Sequence, residues 1–209
     1  MLKGNMLIAH GGGPTPVINS SLLGAVREAK RHGEIETIYG ARFGAEGILA
    51  GDLMDLGAFD DGQLELLSRT PASALGSCRR KLTDADYPAV LECFKKFNIR
   101  YFFYNGGNDS MDTCHKIYQL ACQSGYELRV IGIPKTIDND LAVTDHCPGF
   151  GSAAKYAAVS ALELAFDASA LPIHVVVMEL MGRNAGWITA ASALFADQMP
   201  CEHLVYLPE

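Results

Sequence analysis

Residues 134–140, Pro134-Lys135-Thr136-Ile137-Asp138-Asn139-Asp140, set a lysine, a threonine and two aspartates at the exit of a short apolar run, Val130-Ile131-Gly132-Ile133. The run reads as a buried strand. In open α/β sheets, ligands bind in the crevice beyond the carboxyl ends of the strands, so these side chains stand where chemistry is done. Pro134 keeps the exit extended, because a proline disfavours helix in the residue before it. Phosphoryl transfer needs positioning, neutralisation of charge and a base for the acceptor hydroxyl. Asp138 is the candidate base and Lys135 the candidate counter-charge.

Other stretches could serve the same chemistry. His10-Gly11-Gly12-Gly13-Pro14-Thr15-Pro16 lies between an apolar run and a helical pattern. Such a turn presents backbone N–H groups to a phosphate, and it reads equally as a tight turn with no ligand. Leu75-Gly76-Ser77-Cys78-Arg79-Arg80-Lys81 ends in consecutive cations. Those suit an anion clamp or a solvated loop. Asn105-Gly106-Gly107-Asn108-Asp109-Ser110 closes another apolar run. Its carboxylate is unfavourable beside a phosphate unless a metal or a lysine compensates, and Asn108, Asp109 and Ser110 are also candidate helix caps. Leu180-Met181-Gly182-Arg183-Asn184-Ala185-Gly186-Trp187 adds an arginine in a glycine turn.

The elements that must position these groups alternate. Strands are expected at 5–9, 36–40, 101–104, 130–133, 173–179 and 203–207. Helices are expected at 19–30, 60–68, 85–97, from the turn at 105–112 to about 124, at about 152–168, and from the turn at 180–187 to about 195. Residues 41–57 read as a glycine-rich loop holding a small hairpin. Continuous apolar runs such as Tyr101-Phe102-Phe103-Tyr104 fit strands buried on both faces. The order predicts an α/β fold with an open, mostly parallel sheet and helices on both faces. A net charge of −7 without a basic stripe argues against a nucleic-acid partner. No apolar run approaches the ~20 residues of a membrane helix. The six cysteines lack metal-ligand spacing, which with the absence of a signal peptide predicts free thiols and a cytoplasmic location. A dehydrogenase reading is weakened because the first turn lacks G-x-G-x-x-G and no acid closes residues 36–40.

Four motifs, Gly-Gly-Gly-Pro-Thr-Pro-Val-Ile-Asn (11–19), Gly-Gly-Asn-Asp-Ser (106–110), Pro-Lys-Thr-Ile-Asp-Asn-Asp (134–140) and Met-Gly-Arg-Asn-Ala-Gly-Trp (181–187), together resemble the phosphofructokinase family, and most closely its diphosphate-dependent branch. The resemblance spans nearly the whole chain in order. It implies a Rossmann-like sheet and transfer of a phosphoryl group to the 1-hydroxyl of fructose 6-phosphate, in glycolysis, with Mg2+ as cofactor. Asp138 matches the general base, and Thr136 a contact to sugar and transferring phosphoryl group. Gly12, Gly13 and Gly107 match the donor-binding turns. Arg79 matches an arginine bridging donor and acceptor phosphates, and Met181, Gly182 and Arg183 the sugar-phosphate segment. Asn108 falls at the metal position, where many members carry aspartate.

The resemblance also bears on the donor. ATP-using members usually have glycine at the positions of Asp109 and often of Lys135. A side chain at the first takes space that ATP needs, and a lysine at the second neutralises diphosphate. The pair therefore implies diphosphate, with ATP as the alternative donor. A non-catalytic phosphate-binding fragment is the reading from another class. Family members run well beyond 209 residues, are oligomeric and complete the sugar site from a neighbouring subunit. The expectation is a donor-binding and catalytic region over residues 1–209, a second lobe starting near 140, and a remainder that this chain lacks.

Overall fold

In a computed structural model the chain is described over residues 2–172 and 175–208. It divides into two compact units, residues 1–135 and 136–209.

The first unit is a five-stranded sheet of order β3-β2-β1-β4-β5. Its strands are β1 (Gly4–His10), β2 (Ile35–Ala41), β3 (Leu53–Asp55), β4 (Ile99–Gly106) and β5 (Arg129–Pro134). All neighbours run parallel except β3, which is antiparallel to β2. The period-two rule divides β1 between two cores. Leu7 and Ala9 pack on one face with Phe102 and Tyr104 of β4 and with helices α4 (Tyr87–Lys96) and α5 (Asn108–Gln123), through Val90, Phe94, Ile117 and Ala121. Met6 and Ile8 pack on the other against helix α1 (Val17–Ala29) through Leu22 and Val26, and against α3 (Asp61–Glu65) through Leu64. The predicted helices on both faces are thus present. Asp60 begins α3 with a reciprocal capping box to Gln63, which holds so short a helix at its start. A 3-10 turn over Leu66–Arg69 completes the helix expected at 60–68.

Residues 41–57 are not mainly loop. They hold helix α2 (Ala45–Ala50) and then β3. Gly44 and Gly51 bracket α2 at φ of 62° and 68°, a region that favours glycine. Two of the four glycines read as loop signals are the ends of a helix too short to show a period.

The second unit contains α6 (Phe150–Ala170), α7 (Trp187–Ala191) and a 3-10 segment, Ser192–Gln198. The stripe Ala154, Ala157, Ala158, Ala161 and Ala165 is buried, and α7 and the 3-10 segment pack on α6. The strands expected at 173–179 and 203–207 are not formed among the described residues; Ile173 and His174 lie outside them. Val177 is 88% exposed and Tyr206 80%. β-prone sequence becomes a strand only where a neighbour completes its hydrogen-bond ladder, and the described residues of these two segments have no ladder partner. The helix expected to follow 180–187 shortens to α7 and its 3-10 extension. No helix among the described residues is long and apolar enough to cross a membrane. All six cysteines are free.

Candidate active site

β1 and β4 are central neighbours, so their carboxyl ends open side by side. Gly11 N–H donates to the Asn105 carbonyl at 2.9 Å, joining the two exits. The segment carrying Arg79 lies along the glycine turn: Gly12 N–H donates to the Cys78 carbonyl at 3.1 Å, and Ser77 Oγ donates back to the Gly12 carbonyl at 2.7 Å. Arg79 Nη2 is 3.8 Å from where a Cβ on Gly13 would sit, and Lys135 Nζ is 3.8 Å from the same point on Gly12. Lys135 is 6% exposed and donates to the Gly13 carbonyl. The turn is therefore flanked by two cations. A cavity of about 300 Å3 opens beside it, lined by Gly12, Pro14, Ser73, Ser77, Cys78 and Arg79.

The three consecutive cations have separate surroundings. Arg80 pairs with Asp86 at 2.8 Å and Lys81 with Asp109 at 3.0 Å, while Arg79 faces the glycine turn. At the second turn the N-cap of α5 is Gly107, with no side-chain cap bond. Capping therefore explains none of Asn108, Asp109 or Ser110. Asn108 is the first residue of α5 and Asp109 lies in its first turn. Lys135 N–H donates to the Gly106 carbonyl at 3.0 Å, so the exit of β5 is registered against this turn.

Two residues that sequence reasoning left without a role hold the arrangement. Asn19, fully buried on α1, donates to the Thr70 and Ala72 carbonyls at 2.8 and 3.1 Å and accepts from Ala74 N–H at 2.8 Å. It ties segment 70–79 to the helix that follows the glycine turn. A polar residue among the buried positions Ile18, Leu22 and Leu23 was the available signal. Asn19→Ala would leave buried backbone groups without partners, at about 2 kcal/mol. It should lower the unfolding free energy in a urea titration by that amount and weaken diphosphate binding in calorimetry, because Arg79 rides on the released segment.

The other is His10, also fully buried. Ser73 Oγ lies 2.7 Å from its Nδ1 and donates its own proton to the Gly76 carbonyl at 2.8 Å. A hydroxyl has one proton to give, so His10 Nδ1–H donates to Ser73. Nε2 is then an unprotonated acceptor, and it has no hydrogen-bond partner. Burial, followed by the charge of Lys135, lowers the His10 pKa to about 4.

In the second unit, Asp138 N–H donates to Thr136 Oγ1 at 3.1 Å, and Thr136 N–H donates to the Pro148 carbonyl at 2.9 Å. Gly182 sits at φ 110°, and a Cβ there would lie 2.4 Å from the Ala185 carbonyl and 3.9 Å from Asp138 Oδ1. Only glycine fits, so the turn runs beside the Asp138 carboxylate. Met181 and Arg183 flank it, both exposed. One cluster thus joins Gly12, Gly13, Arg79 and Lys135, and the other joins Thr136, Asp138 and Gly182. Lys135 and Thr136 are consecutive in the chain.

The family model described as Phosphofructokinase matches residues 5–209. A pyrophosphate–fructose 6-phosphate 1-phosphotransferase of Halomonas elongata is 45% identical over 219 aligned residues, covering 100% of this chain and 52% of the relative. The protein of that name from Rhodospirillum rubrum is 47% identical, covering 100% and 52%. The crystal structure of a pyrophosphate-dependent phosphofructokinase from Nitrosospira multiformis superposes with a TM-score of 0.85 at 48% identity, covering 91% of this chain and 49% of that one. The chain spans about half the length of the relatives it matches.

Proposed function

This chain belongs to the phosphofructokinase family, and we propose that it carries the donor-binding and catalytic region of an enzyme that moves a phosphoryl group from diphosphate to the 1-hydroxyl of fructose 6-phosphate. The observation that carries the reading is the exit of β5. Lys135 is buried against the glycine turn, and Asp138 follows three residues later, beside the Gly182 turn. Donor-side charge and acceptor-side base are delivered by one stretch of chain. The names of the relatives at 45–47% identity point to the same reaction.

In the proposed mechanism, Asp138 takes the proton of the 1-hydroxyl. The sugar oxygen attacks the distal phosphorus of diphosphate. The bond from that phosphorus to the bridging oxygen breaks, and inorganic phosphate leaves. Lys135 and Arg79 neutralise the phosphate oxygens, where fixed charges lower the barrier most. Thr136 Oγ1 accepts from Asp138 N–H, so its own proton is available to a phosphoryl oxygen. Met181, Gly182 and Arg183 take the sugar phosphate. In the reverse direction the same groups would serve: inorganic phosphate attacks the 1-phosphate, diphosphate forms, and protonated Asp138 returns its proton to the sugar oxygen.

Among the described residues no group of three His, Cys, Asp or Glu side chains is placed to hold a metal. Asn108, the exposed first residue of α5, is assigned as one ligand of Mg2+, an ion that keeps several waters and binds substrate phosphates. Bound there, the ion would supply further neutralisation of the donor. The whole protein would be a cytoplasmic homo-oligomer whose second lobe begins in the second unit.

Donor choice rests on Asp109 and Lys135. Steady-state rates with diphosphate and with ATP test it on the protein. Diphosphate should be preferred, and Asp109→Gly should move the ratio of kcat/KM values toward ATP by about tenfold, ~1.4 kcal/mol. Better turnover of the unaltered protein with ATP would overturn the donor assignment, and an unmoved ratio would remove Asp109 from it.

A further inference from the structure

Asn139 follows the candidate base and is 8% exposed, at φ 57°. Its side chain spans the loop that Asp138 opens. The amide carbonyl accepts from Cys147 N–H at 2.8 Å, and the amide nitrogen donates to the Asp145 carbonyl at 3.1 Å. Cys147 is fully buried. The stem of the same loop is closed by Thr136, which bonds Pro148 and forms a parallel bridge with Gly149. Asp138 therefore sits between two fixed points, Thr136 before it and Asn139 after it. A left-handed backbone at Asn139 turns the chain back on itself at the base. Asparagine tolerates that conformation better than other residues with a Cβ.

We infer that Asn139 is a positioning residue for Asp138, holding its carboxylate by clamping residues 145–147 across the loop; this rests on the reading of Asp138 as the base. A base acts only within hydrogen-bond reach of the proton it takes, and small misplacements of catalytic groups cost rate out of proportion to their size. Neither side-chain bond of Asn139 reaches the donor turn, so losing them should leave donor binding alone. The backbone role and the clamping role can be separated. Glycine supplies φ 57° without the two bonds, alanine supplies neither, and aspartate keeps only the acceptor.

The test measures kcat, KM for diphosphate, the solvent isotope effect on kcat, and amide exchange in Asn139→Ala, Asn139→Gly and Asn139→Asp. The expected result is a kcat lower by about 30-fold in both Ala and Gly variants, within the range a misplaced catalytic group gives. KM for diphosphate should stay within about twofold, the isotope effect should rise as proton transfer becomes rate-limiting, and the Cys147 amide should lose protection. Asn139→Asp should fall between these variants and the unaltered protein. A kcat restored by glycine would reduce Asn139 to a backbone requirement and overturn the proposal. So would an unchanged kcat in Asn139→Ala, or an equal loss of diphosphate binding. If the unaltered protein shows no turnover, the functional reading fails and this inference fails with it. Unchanged Cys147 exchange in Asn139→Ala, with turnover present, would remove the clamp alone.

Discussion

Asp138→Asn should lower kcat by about 10²–10⁴-fold, the range that general-base catalysis contributes, with KM values for both substrates within a few-fold. Asparagine matches the shape of aspartate but does not accept the proton of the 1-hydroxyl. The loop should keep its form, because Thr136, the side chain of Asn139 and the Asp138 backbone N–H all make bonds that close it and that the substitution leaves in place. Binding and chemistry therefore separate. Initial rates over both substrates, with calorimetric diphosphate binding as the control, give the two quantities. A kcat within threefold of the unaltered protein would remove Asp138 from the base role. A loss of diphosphate binding equal to the loss of rate would mean that the residue holds the donor.

What made residues 134–140 legible is local. An apolar run, a proline and a cluster of unlike polar groups lie within a few positions. The strand that delivers them is read from its short apolar run; the burial expected of it is not found, because β5 ends the strand order and Ile131 is 51% exposed. β1 and β4 are legible from such runs too, since their residues alternate between two buried faces. The strands expected at 173–179, of which residues 175–179 are described, and at 203–207 are not formed, because β-propensity describes half a contact. Valines at 175–177 favour extended chain, but a ladder needs a second strand, and none pairs with them among the described residues. The short helix α2 was missed because one and a half turns carry no measurable period.

Less of the site was legible than of the sheet. The glycine turn, Arg79 and Lys135 could be named, but the sequence offered a solvated loop as an equal reading for the cations. What separates the readings is contact across distance. The hydrogen bonds that place segment 70–79 link residues 51 to 65 positions apart. Asn19 and His10 make all of these but the Ser77–Gly12 bond, and each looks unremarkable in its own neighbourhood. A buried polar residue declares itself only when the groups that satisfy it are known. The capping explanation for Asn108, Asp109 and Ser110 failed because Gly107 is the cap residue. That leaves Asp109 available for the pairing with Lys81.

His10 gives the second large expected effect, a loss of stability in acid. Its pKa is about 4 in the folded protein against an ordinary value of 6.5. Between those values the unfolded chain binds a proton that the native state refuses, so unfolding becomes easier as pH falls. The stability associated with the neutral ring is complete above pH 6.5 and is lost progressively as pH falls to about 4. At 1.36 kcal/mol per unit the full loss is about 3 kcal/mol, and between pH 7 and pH 5 about 2 kcal/mol. Urea titrations at those two pH values should show the difference. His10→Gln keeps a polar group of similar reach and does not titrate, so it should flatten the slope by about that amount. An unchanged slope would mean that the buried ring takes up its proton without penalty. The same ring carries the Ser73 contact that helps seat segment 73–79 against the glycine turn. The loss should therefore reach the donor cluster before global unfolding: protonation puts a second positive charge beside Lys135, and both lie against the turn proposed to receive diphosphate.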